Sequence, residues 1–358
     1  MQVVQIGKYY SPVRGGIERV VQSLSESLVN EGHQVSCFVS SYSLFTSAET
    51  IKGVKLTRFS TFFHFFSLPM TLWKKKEIEN LKPDLLQIHI PNPIALLIYR
   101  NVKCKKVVFY HANYVGHKWI QGLYNYILRQ SIKNYDVVLF SSEKLLESSA
   151  GILKNVDIVK KVTPFSASYL SLNNKSDELA REGIEAKISD IVFVGRLVKY
   201  KGLKYLIKAM SDVNFSLAII GDGPEKKSLL ELITELSLFD RVKIYSDIND
   251  SELKLFYQNT KVVVLPSIEE SEAFGLSLLE GLSFGKSLVS TKLNTGIDGI
   301  NVHGETGLQV RTKNWMDLAD SLNLILKDSS LRKKFEIGAK KHYKVNYSSE
   351  CILQNTLM

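Results

Sequence analysis

Short apolar runs alternate with longer amphipathic segments along almost the whole chain. Runs such as Val3–Ile6 and Ile191–Val194 are typical of buried strands, and segments such as Ile17–Asn30 and Trp119–Lys133 place their apolar residues at helical spacing. Because near-continuous apolar strands that alternate with helices are typical of parallel sheets covered on both faces, the pattern predicts an α/β protein.

The alternation stops between Pro164 and Lys187, where serine and asparagine cluster without an apolar rhythm. Such a break predicts a linker, and a length of 358 residues suits two domains. We therefore predict a doubly wound domain over residues 1–165, a second over 166–340, and a terminal helix over 341–358 that packs back towards the first. Such sheets bind ligands at the carboxyl ends of their strands, so we expect the two domains to face a central cleft.

The excess of positive charge is confined to the first half of the chain. Residues 1–165 carry 21 basic and 11 acidic side chains, whereas residues 166–358 carry 25 of each. This asymmetry indicates an anionic partner for the first half, namely a membrane surface, a nucleic acid or a phosphorylated substrate. The three cysteines are odd in number and far apart, which favours free thiols in a reducing cytosol over a disulfide framework.

The segment Thr61–Lys76 combines aromatic side chains, among them Phe62, Phe63 and Trp73, with three consecutive lysines. It is too short and too interrupted to span a bilayer, but rings beside lysines are typical of a segment that lies at a membrane interface. We expect the first domain to dock there on an anionic membrane. The alternative is that the phenylalanines lie in the core and the lysines form the solvated start of a helix. No recognised nucleic-acid motif accompanies the charge, so we expect no nucleic-acid partner.

A basic pair follows the first predicted strand of the second half, within Val194–Gly202. Arg196 and Lys201 lie between the end of that strand and the next helix. A guanidinium fork and a compact ammonium group together suit a diphosphate, although the segment alone also fits a solvated basic loop. If the pair binds a ligand, we expect both side chains to face solvent while the site is empty.

Two carboxylates eight residues apart flank a predicted helix start at Gly275. Glu272 would lie in the preceding loop and Glu280 in the second helical turn. Carboxylates accept pairs of sugar hydroxyls well. Acids at a helix start can also merely complement the helix dipole, an interpretation that suits Glu269 and Glu270 better than this pair.

Two further candidates lie in the first half. Gly15 and Gly16 directly precede a predicted helix, where backbone N–H groups can approach a phosphate, or where a flexible loop merely begins a helix. His111 follows the apolar strand Val107–Tyr110, at the end of a strand where a ligand cleft opens, and it can equally be structural. No two aspartates are spaced D-x-D and the histidines lack metal-ligand spacing, so we predict no metal site.

Together these elements resemble family 4 of the glycosyltransferases, most strongly from Ile191 to Val310. The matching elements are, in chain order, the glycine loop Gly15-Gly16-Ile17-Glu18, His111, the basic pair Arg196 and Lys201, the turn Gly221-Asp222-Gly223-Pro224, and the E-x7-E pair Glu272 and Glu280. The resemblance implies the GT-B fold, with two Rossmann-like domains, and retaining transfer of a hexose-type sugar from a nucleotide-sugar. The reaction implied by the resemblance needs no cofactor beyond that donor.

The resemblance also implies roles for these residues. Arg196 and Lys201 would bind the diphosphate, with Gly15 and Gly16 beneath it. Asp222 would lie in a turn beside the donor, and Glu280 would bind the ribose. The catalytic-site residues Glu272 and His111 would contact the sugar. The family often has phenylalanine-x-glycine near the base, but this chain has Ile244-Tyr245-Ser246-Asp247. The donor therefore stays open between GDP-mannose and a UDP-hexose.

The segment Asn294–Gly304 is similar to the sugar-proximal loop of bacterial surface-polysaccharide members. The resemblance thus implies an undecaprenyl-diphosphate-linked glycan as acceptor, in O-antigen or capsule synthesis, at the inner face of the cytoplasmic membrane. Two alternatives remain: a sugar-nucleotide 2-epimerase of the same fold, and a non-catalytic transferase-like subunit. The basic, aromatic-rich first half argues against the epimerase, and the complete set of charged motif residues argues against the subunit.

Overall fold

The computed structural model describes residues 1–13, 15–65, 68–113, 118–165, 189–348, 350–352 and 356. The chain divides into two compact units, residues 1–169 with 349–358, and residues 170–348. The predicted linker lies outside the described residues except for its first two positions, Pro164 and Phe165.

The first unit is built on an eight-stranded sheet with a separate two-stranded hairpin. Its strands are β1 Gln2–Ile6, β2 Gln34–Ser40, β3 Ser47–Ile51, β4 Val54–Phe59, β5 Thr61–Phe65, β6 Leu68–Thr71, β7 Leu85–Ile90, β8 Lys105–Tyr110, β9 Val137–Phe140 and β10 Val159–Val162. The sheet order is β10-β9-β8-β7-β1-β2-β4-β3, and β5 pairs with β6. Within the large sheet all pairs are parallel except the antiparallel pair β3–β4.

Helices connect the parallel strands of this unit and cover the sheet. They are α1 Gly16–Asn30, α2 Lys75–Asn80, α3 Pro93–Tyr99, α4 Lys118–Ile132 and α5 Glu143–Ser149. The central strands β1, β7 and β8 bury almost every side chain, because helices on both faces exclude water. The two central strands β1 and β7 nevertheless carry buried polar residues, Gln5, Gln87 and His89.

The second unit has six parallel strands in the order β13-β12-β11-β14-β15-β16. They are β11 Ile191–Val194, β12 Leu217–Ile220, β13 Val242–Tyr245, β14 Val262–Leu265, β15 Ser287–Thr291 and β16 Gly307–Val310. The helices are α6 Leu203–Ala209, α7 Lys226–Glu235, α8 Asp250–Asn259, α9 Leu276–Ser283, α10 Ile297–Ile300, α11 Trp315–Lys327 and α12 Ser329–Asn346. The prediction of two doubly wound sheets is confirmed, and the first sheet differs from a wholly parallel one only in its antiparallel edge strand β3.

The end of the chain returns to the first unit, as its residues 349–358 belong there. The carbonyl of Thr356, a buried residue, accepts a hydrogen bond from the Gln87 side chain at 3.4 Å. Helix α12 runs unbroken to Asn346, so the terminal segment that we predicted from residue 341 begins inside this helix. Across the described part of the chain, no helix has the length and apolar character needed to cross a membrane.

Candidate functional site

Loops leave the carboxyl ends of three neighbouring strands in the second unit. Gly195 follows β11, Gly221 follows β12, and Pro266 follows β14. The backbone at Gly221 has φ +151°, and a Cβ there would collide with the carbonyl oxygen of Gly195. Gly202 is equally confined, because a Cβ on it would overlap the Pro266 carbonyl. These close backbone approaches bring the loops after the three strands together at one edge of the sheet.

Lys201 and Glu272 form a buried ion pair at this edge. Each residue is 9% exposed, and the Lys201 Nζ contacts the Glu272 Oε2. The Ser267 hydroxyl donates to the same carboxylate oxygen at 3.0 Å. The Thr291 hydroxyl in turn donates to the Ser267 carbonyl, so the loops after β11 and β14 are joined to β15. The site therefore places a cation and a carboxylate side by side on a fixed backbone.

Arg196 lies two residues beyond β11 and is exposed. The expectation that both basic side chains face solvent is right for Arg196 and wrong for Lys201. Burial of Lys201 is possible because Glu272 compensates its charge, a contact that comes from a distant part of the chain. The Asp222 carbonyl accepts the Leu197 backbone N–H at 2.9 Å and so holds the Arg196 loop. The exposed Asp222 side chain accepts from the Gly223 N–H at 2.7 Å.

Glu280 occupies a different environment from Glu272. Helix α9 begins at Leu276 after Gly275, whose φ of +79° is a conformation that glycine adopts freely. Glu272 therefore lies in the preceding loop and Glu280 in the second turn, as the sequence predicts. Glu280 is 3% exposed, and the Tyr257 hydroxyl of α8 donates to its Oε2 at 2.5 Å. Tyr257 thus orients this carboxylate, while Lys201 and Ser267 orient the other.

Arg58 holds the segment that precedes the glycine loop of the first unit. This arginine on β4 donates to the carbonyls of Tyr10 and Ser11 and also to the Glu49 carboxylate. Gly15 precedes α1 in an extended conformation. A Cβ on Gly15 would overlap the carboxylate of Glu18, which lies in the first turn of α1. A side chain at position 15 would therefore displace the acid that now complements the helix dipole.

His111 is buried at the end of β8, with only 5% of its surface exposed. Its Nε2 lies 2.8 Å from the Nδ1 of His89, and its ring stacks on Phe165 at a centroid distance of 4.7 Å. Burial lowers the pKa of His111 to about 3. Burial, with a smaller effect of His111, also lowers the pKa of His89 well below its ordinary value. Both imidazoles are therefore neutral at physiological pH.

The side chains that hold the predicted site residues were not predicted from the sequence. They are Gln5, Arg58, Gln87, His89, Tyr257 and Ser267. Three of them had a visible signal, because Gln5, Gln87 and His89 interrupt apolar strands with polar groups. Such an interruption in a strand buried on both faces requires a hydrogen-bond partner inside the protein.

Family models match both halves of the chain. Residues 174–342 match the family described as Glycosyl transferases group 1, and residues 14–153 match Glycosyltransferase Family 4. The O-antigen chain mannosyltransferase C of Escherichia coli is 24% identical over 355 residues, covering 98% of this chain and 95% of that protein. The D-rhamnosyltransferase WbpZ of Pseudomonas aeruginosa is 28% identical over 318 residues, covering 87% and 82%.

Solved structures share the fold over the full length. Sucrose-phosphate synthase from Thermosynechococcus elongatus has a TM-score of 0.76 at 18% identity, covering 99% of this chain and 97% of that one. Anabaena HepE, solved in complex with UDP and glucose, has a TM-score of 0.72 at 16% identity, covering 99% and 98%. The two family matches show that the chain is a glycosyltransferase, with Glycosyltransferase Family 4 in its first half and Glycosyl transferases group 1 in its second, and the shared architecture shows the GT-B fold.

Proposed function

We propose that this glycosyltransferase moves a hexose-type sugar from a nucleoside-diphosphate donor to a lipid-linked glycan, with retention of configuration, in surface-polysaccharide synthesis. The observation that carries the proposal is the Lys201–Glu272–Ser267 cluster at the carboxyl edge of the second sheet. It supplies an ammonium group for a diphosphate beside a carboxylate for sugar hydroxyls. The O-antigen mannosyltransferase and rhamnosyltransferase relatives support the pathway.

The exposed Arg196 and the buried Lys201 bind the donor diphosphate in this proposal. Glu272 holds Lys201, so an incoming phosphate shares a cation that is already positioned. Preorganised cations stabilise the charge that develops on the leaving diphosphate without reorganisation during the reaction. Glu272 accepts hydroxyls of the transferred sugar, and the Tyr257-oriented Glu280 accepts the ribose hydroxyls. The turn at Asp222 belongs to the donor site of the second unit in this proposal. The contacts of Gly15 and Gly16 with the diphosphate and of His111 with the sugar stay predictions from the sequence.

The transfer is proposed to need no metal, because the chain lacks a D-x-D pair and the two basic residues provide the positive charge. The donor is GDP-mannose or a UDP-hexose. A mannosyltransferase relative supports the first, and the neighbouring structure solved with UDP and glucose supports the second. The acceptor is a glycan on undecaprenyl diphosphate.

The deciding experiment is an incubation of the purified protein with radiolabelled GDP-mannose and UDP-hexoses, with and without a bacterial membrane extract. We expect transfer of label to lipid, and the rate should survive excess EDTA. Epimerised free donor would instead indicate the isomerase alternative, and absence of turnover with every donor would indicate a non-catalytic subunit. Strict dependence on added magnesium or manganese would contradict the proposal that Arg196 and Lys201 provide the positive charge for the reaction.

The two glutamates are expected to affect different ligands. Glu280→Gln should weaken binding of the free nucleoside diphosphate about tenfold, because it removes the charge from a hydrogen bond to ribose. Glu272→Gln should leave that binding within about threefold of wild type and slow sugar transfer instead. Titration calorimetry with GDP and UDP measures the first effect, and the exposed Glu270→Gln provides the control. Wild-type affinity in Glu280→Gln would remove the ribose assignment.

We further propose that the first unit docks on an anionic membrane and so works at the cytoplasmic face. Phe62 and Phe63 are each 57% exposed, which argues against the alternative that they lie in the core. Backbone hydrogen bonds join Thr61 to Ser43 and Leu72 to Ser60. The hairpin therefore lies beside a loop with further exposed apolar side chains. We call the exposed side chains of this region the apolar patch, and they are Tyr42, Leu44, Phe45, Phe62, Phe63 and Leu72.

The neighbouring tryptophan and lysines differ from the sequence prediction. Trp73 is 8% exposed and packs edge-on against Phe59 and Tyr99, so it belongs to the core and not to the interface. Lys74 pairs with Glu77, and Lys75 with Glu79. These ion pairs reduce the net charge beside the patch, so the rings carry more of the proposed attachment than the lysines do.

Flotation with vesicles tests this surface. The variant Phe62→Ser/Phe63→Ser should reduce binding to anionic vesicles at least tenfold, since burial of each ring contributes about 1.5 kcal/mol or more. The variant Lys74→Glu/Lys75→Glu/Lys76→Glu should also reduce binding to anionic vesicles at low salt. Phe239 is also 57% exposed but lies in the second unit, so Phe239→Ser should bind like wild type. Equal flotation on neutral and anionic vesicles would contradict the proposal.

A further inference from the structure

A row of polar side chains crosses the central strands of the first unit. Gln5 on β1 lies opposite Gln87 on β7, and His89 on β7 lies opposite Phe109 on β8. Gln5 and Gln87 are fully buried, and His89 is 1% exposed. Burial of three polar side chains in an apolar sheet is costly unless each one finds a partner. Their arrangement therefore calls for a reason beyond packing.

The partners form one continuous chain of hydrogen bonds. The Gln87 Nε2 donates to the Thr356 carbonyl at 3.4 Å, and the Gln5 Nε2 donates to the Gln87 Oε1. The Gln5 Oε1 lies 2.7 Å from the His89 Nε2, and the His89 Nδ1 lies 2.8 Å from the His111 Nε2. This series of hydrogen bonds thus runs from the main-chain carbonyl of Thr356 to His111.

The carbonyl at one end dictates the direction of every bond. A carbonyl oxygen only accepts, so the Gln87 amide group must turn its NH₂ towards Thr356 and its oxygen towards Gln5. The Gln5 NH₂ then faces Gln87, and its oxygen faces the His89 Nε2, which must carry a proton.

The two imidazoles are constrained in the same way. A neutral imidazole has one N–H and one acceptor nitrogen. Since the His89 Nε2 carries the proton, its Nδ1 accepts, and the His111 Nε2 is therefore the donor between the two rings. His111 is left with an unprotonated Nδ1. Both rings are kept neutral by burial, so neither escapes this constraint by becoming a double donor.

We propose that Gln5, Gln87 and His89 are positioning residues that hold His111 in its Nε2–H tautomer, so that its Nδ1 presents a hydrogen-bond acceptor to a substrate hydroxyl. This inference deepens the proposed function, on which it rests for the contact between His111 and the sugar. In this tautomer Nδ1 can always accept a hydrogen bond from the hydroxyl. In the other tautomer Nδ1 carries a proton and cannot accept one. The C-terminal segment takes part through the Thr356 carbonyl.

Nitrogen NMR of the full chain with ¹⁵N-labelled histidine tests the tautomer without reference to activity. The His111 signals are assigned by their loss in His111→Asn. In the wild type we expect a protonated Nε2 and an unprotonated Nδ1 at this residue. Gln87→Met should give a mixture of both tautomers, because the Gln5 amide can then take either orientation. His89→Phe keeps a ring beside Phe109 and should also abolish the preference.

Kinetics provide the second measurement. Gln87→Met and His89→Phe should each lower kcat about 2- to 10-fold, the effect of one net hydrogen bond, with an unchanged affinity for free nucleoside diphosphate. Phe109→Leu removes the stack on His89 but leaves the hydrogen bonds, so it should retain the wild-type tautomer. Gln87→Met provides the test on its own if His89→Phe does not fold.

A wild-type His111 protonated at Nδ1, or an unaltered tautomer in both variants, would overturn the proposal. A tautomer change without an effect on kcat would also overturn it, since the positioning would then have no consequence for the reaction. If the tautomers behave as expected but no sugar is transferred by the wild type, the proposed function fails and the hydrogen-bond assignment stands.

Discussion

Replacing Lys201 by methionine is expected to lower the free energy of unfolding by about 3–5 kcal/mol and the rate of transfer by about 100-fold. The stability effect arises because Glu272 would stay buried without its counter-charge. The rate effect arises because a charge-assisted contact to the donor diphosphate is lost, which is worth up to about 3 kcal/mol. Urea unfolding and turnover of the labelled donor measure the two effects separately.

A double substitution that also neutralises Glu272 separates the effect on stability from the effect on the rate of transfer. Lys201→Met/Glu272→Gln removes both charges, so it should regain much of the stability while transfer stays as slow as in the single variant or becomes slower. Lys75→Met is the matched control, because it breaks an ion pair with the exposed Glu79 and should change the free energy of unfolding by less than about 1 kcal/mol. A stable, fully active Lys201→Met would refute both the burial argument and the diphosphate assignment.

Arg196→Ala is expected to slow transfer about 10- to 100-fold with almost no change in the melting temperature. Its guanidinium group is exposed and follows β11 at the same edge of the sheet as Lys201. A bidentate contact with phosphate accounts for the loss in rate. The exposure of the side chain accounts for the unaltered stability, since exposed groups contribute little to folding.

The neighbouring Lys199 offers a control of similar charge, because it is also exposed and belongs to the same loop. Lys199→Ala should keep activity within about twofold of wild type. If Lys199→Ala and Arg196→Ala lose activity equally, general positive charge and not a specific contact attracts the donor. Full activity of Arg196→Ala would place this residue outside the site.

The strands that the sequence predicts best are those whose environment is uniform. Ile191–Val194 has the predicted limits, because it is an apolar run buried on both faces and bounded by turn residues. The apolar runs Leu217–Ile220 and Val262–Leu265 form strands for the same reason. The strands Ser47–Ile51 and Val159–Val162 were missed. Their exposed, polar side chains at or near the edge of a sheet do not differ from those of a loop.

The candidate site was predictable as a set of residues but not as a set of contacts. Motif spacing located Lys201, Glu272 and Glu280, since each lies at a defined distance from a strand end or a helix start. Their partners depend on which strands are neighbours in the sheet. The order β12-β11-β14-β15 brings Ser267 and Thr291 together, and chain order does not reveal this. Burial of Lys201 follows from the same tertiary contact.

The two neutral histidines in the core make the first unit sensitive to acid. Unfolding exposes His111 to water, where its pKa returns from about 3 to its ordinary value of 6.5, so the unfolded chain binds a proton that the folded chain excludes. The contribution of His111 to the free energy of unfolding is therefore fully present above about pH 6.5. It falls as the pH decreases towards 3, by up to about 1.4 kcal/mol per pH unit. His89 adds in the same direction. Proton uptake on denaturation at pH 5.5 would reveal both groups, and acidic elution or storage buffers should inactivate the protein through this unit first.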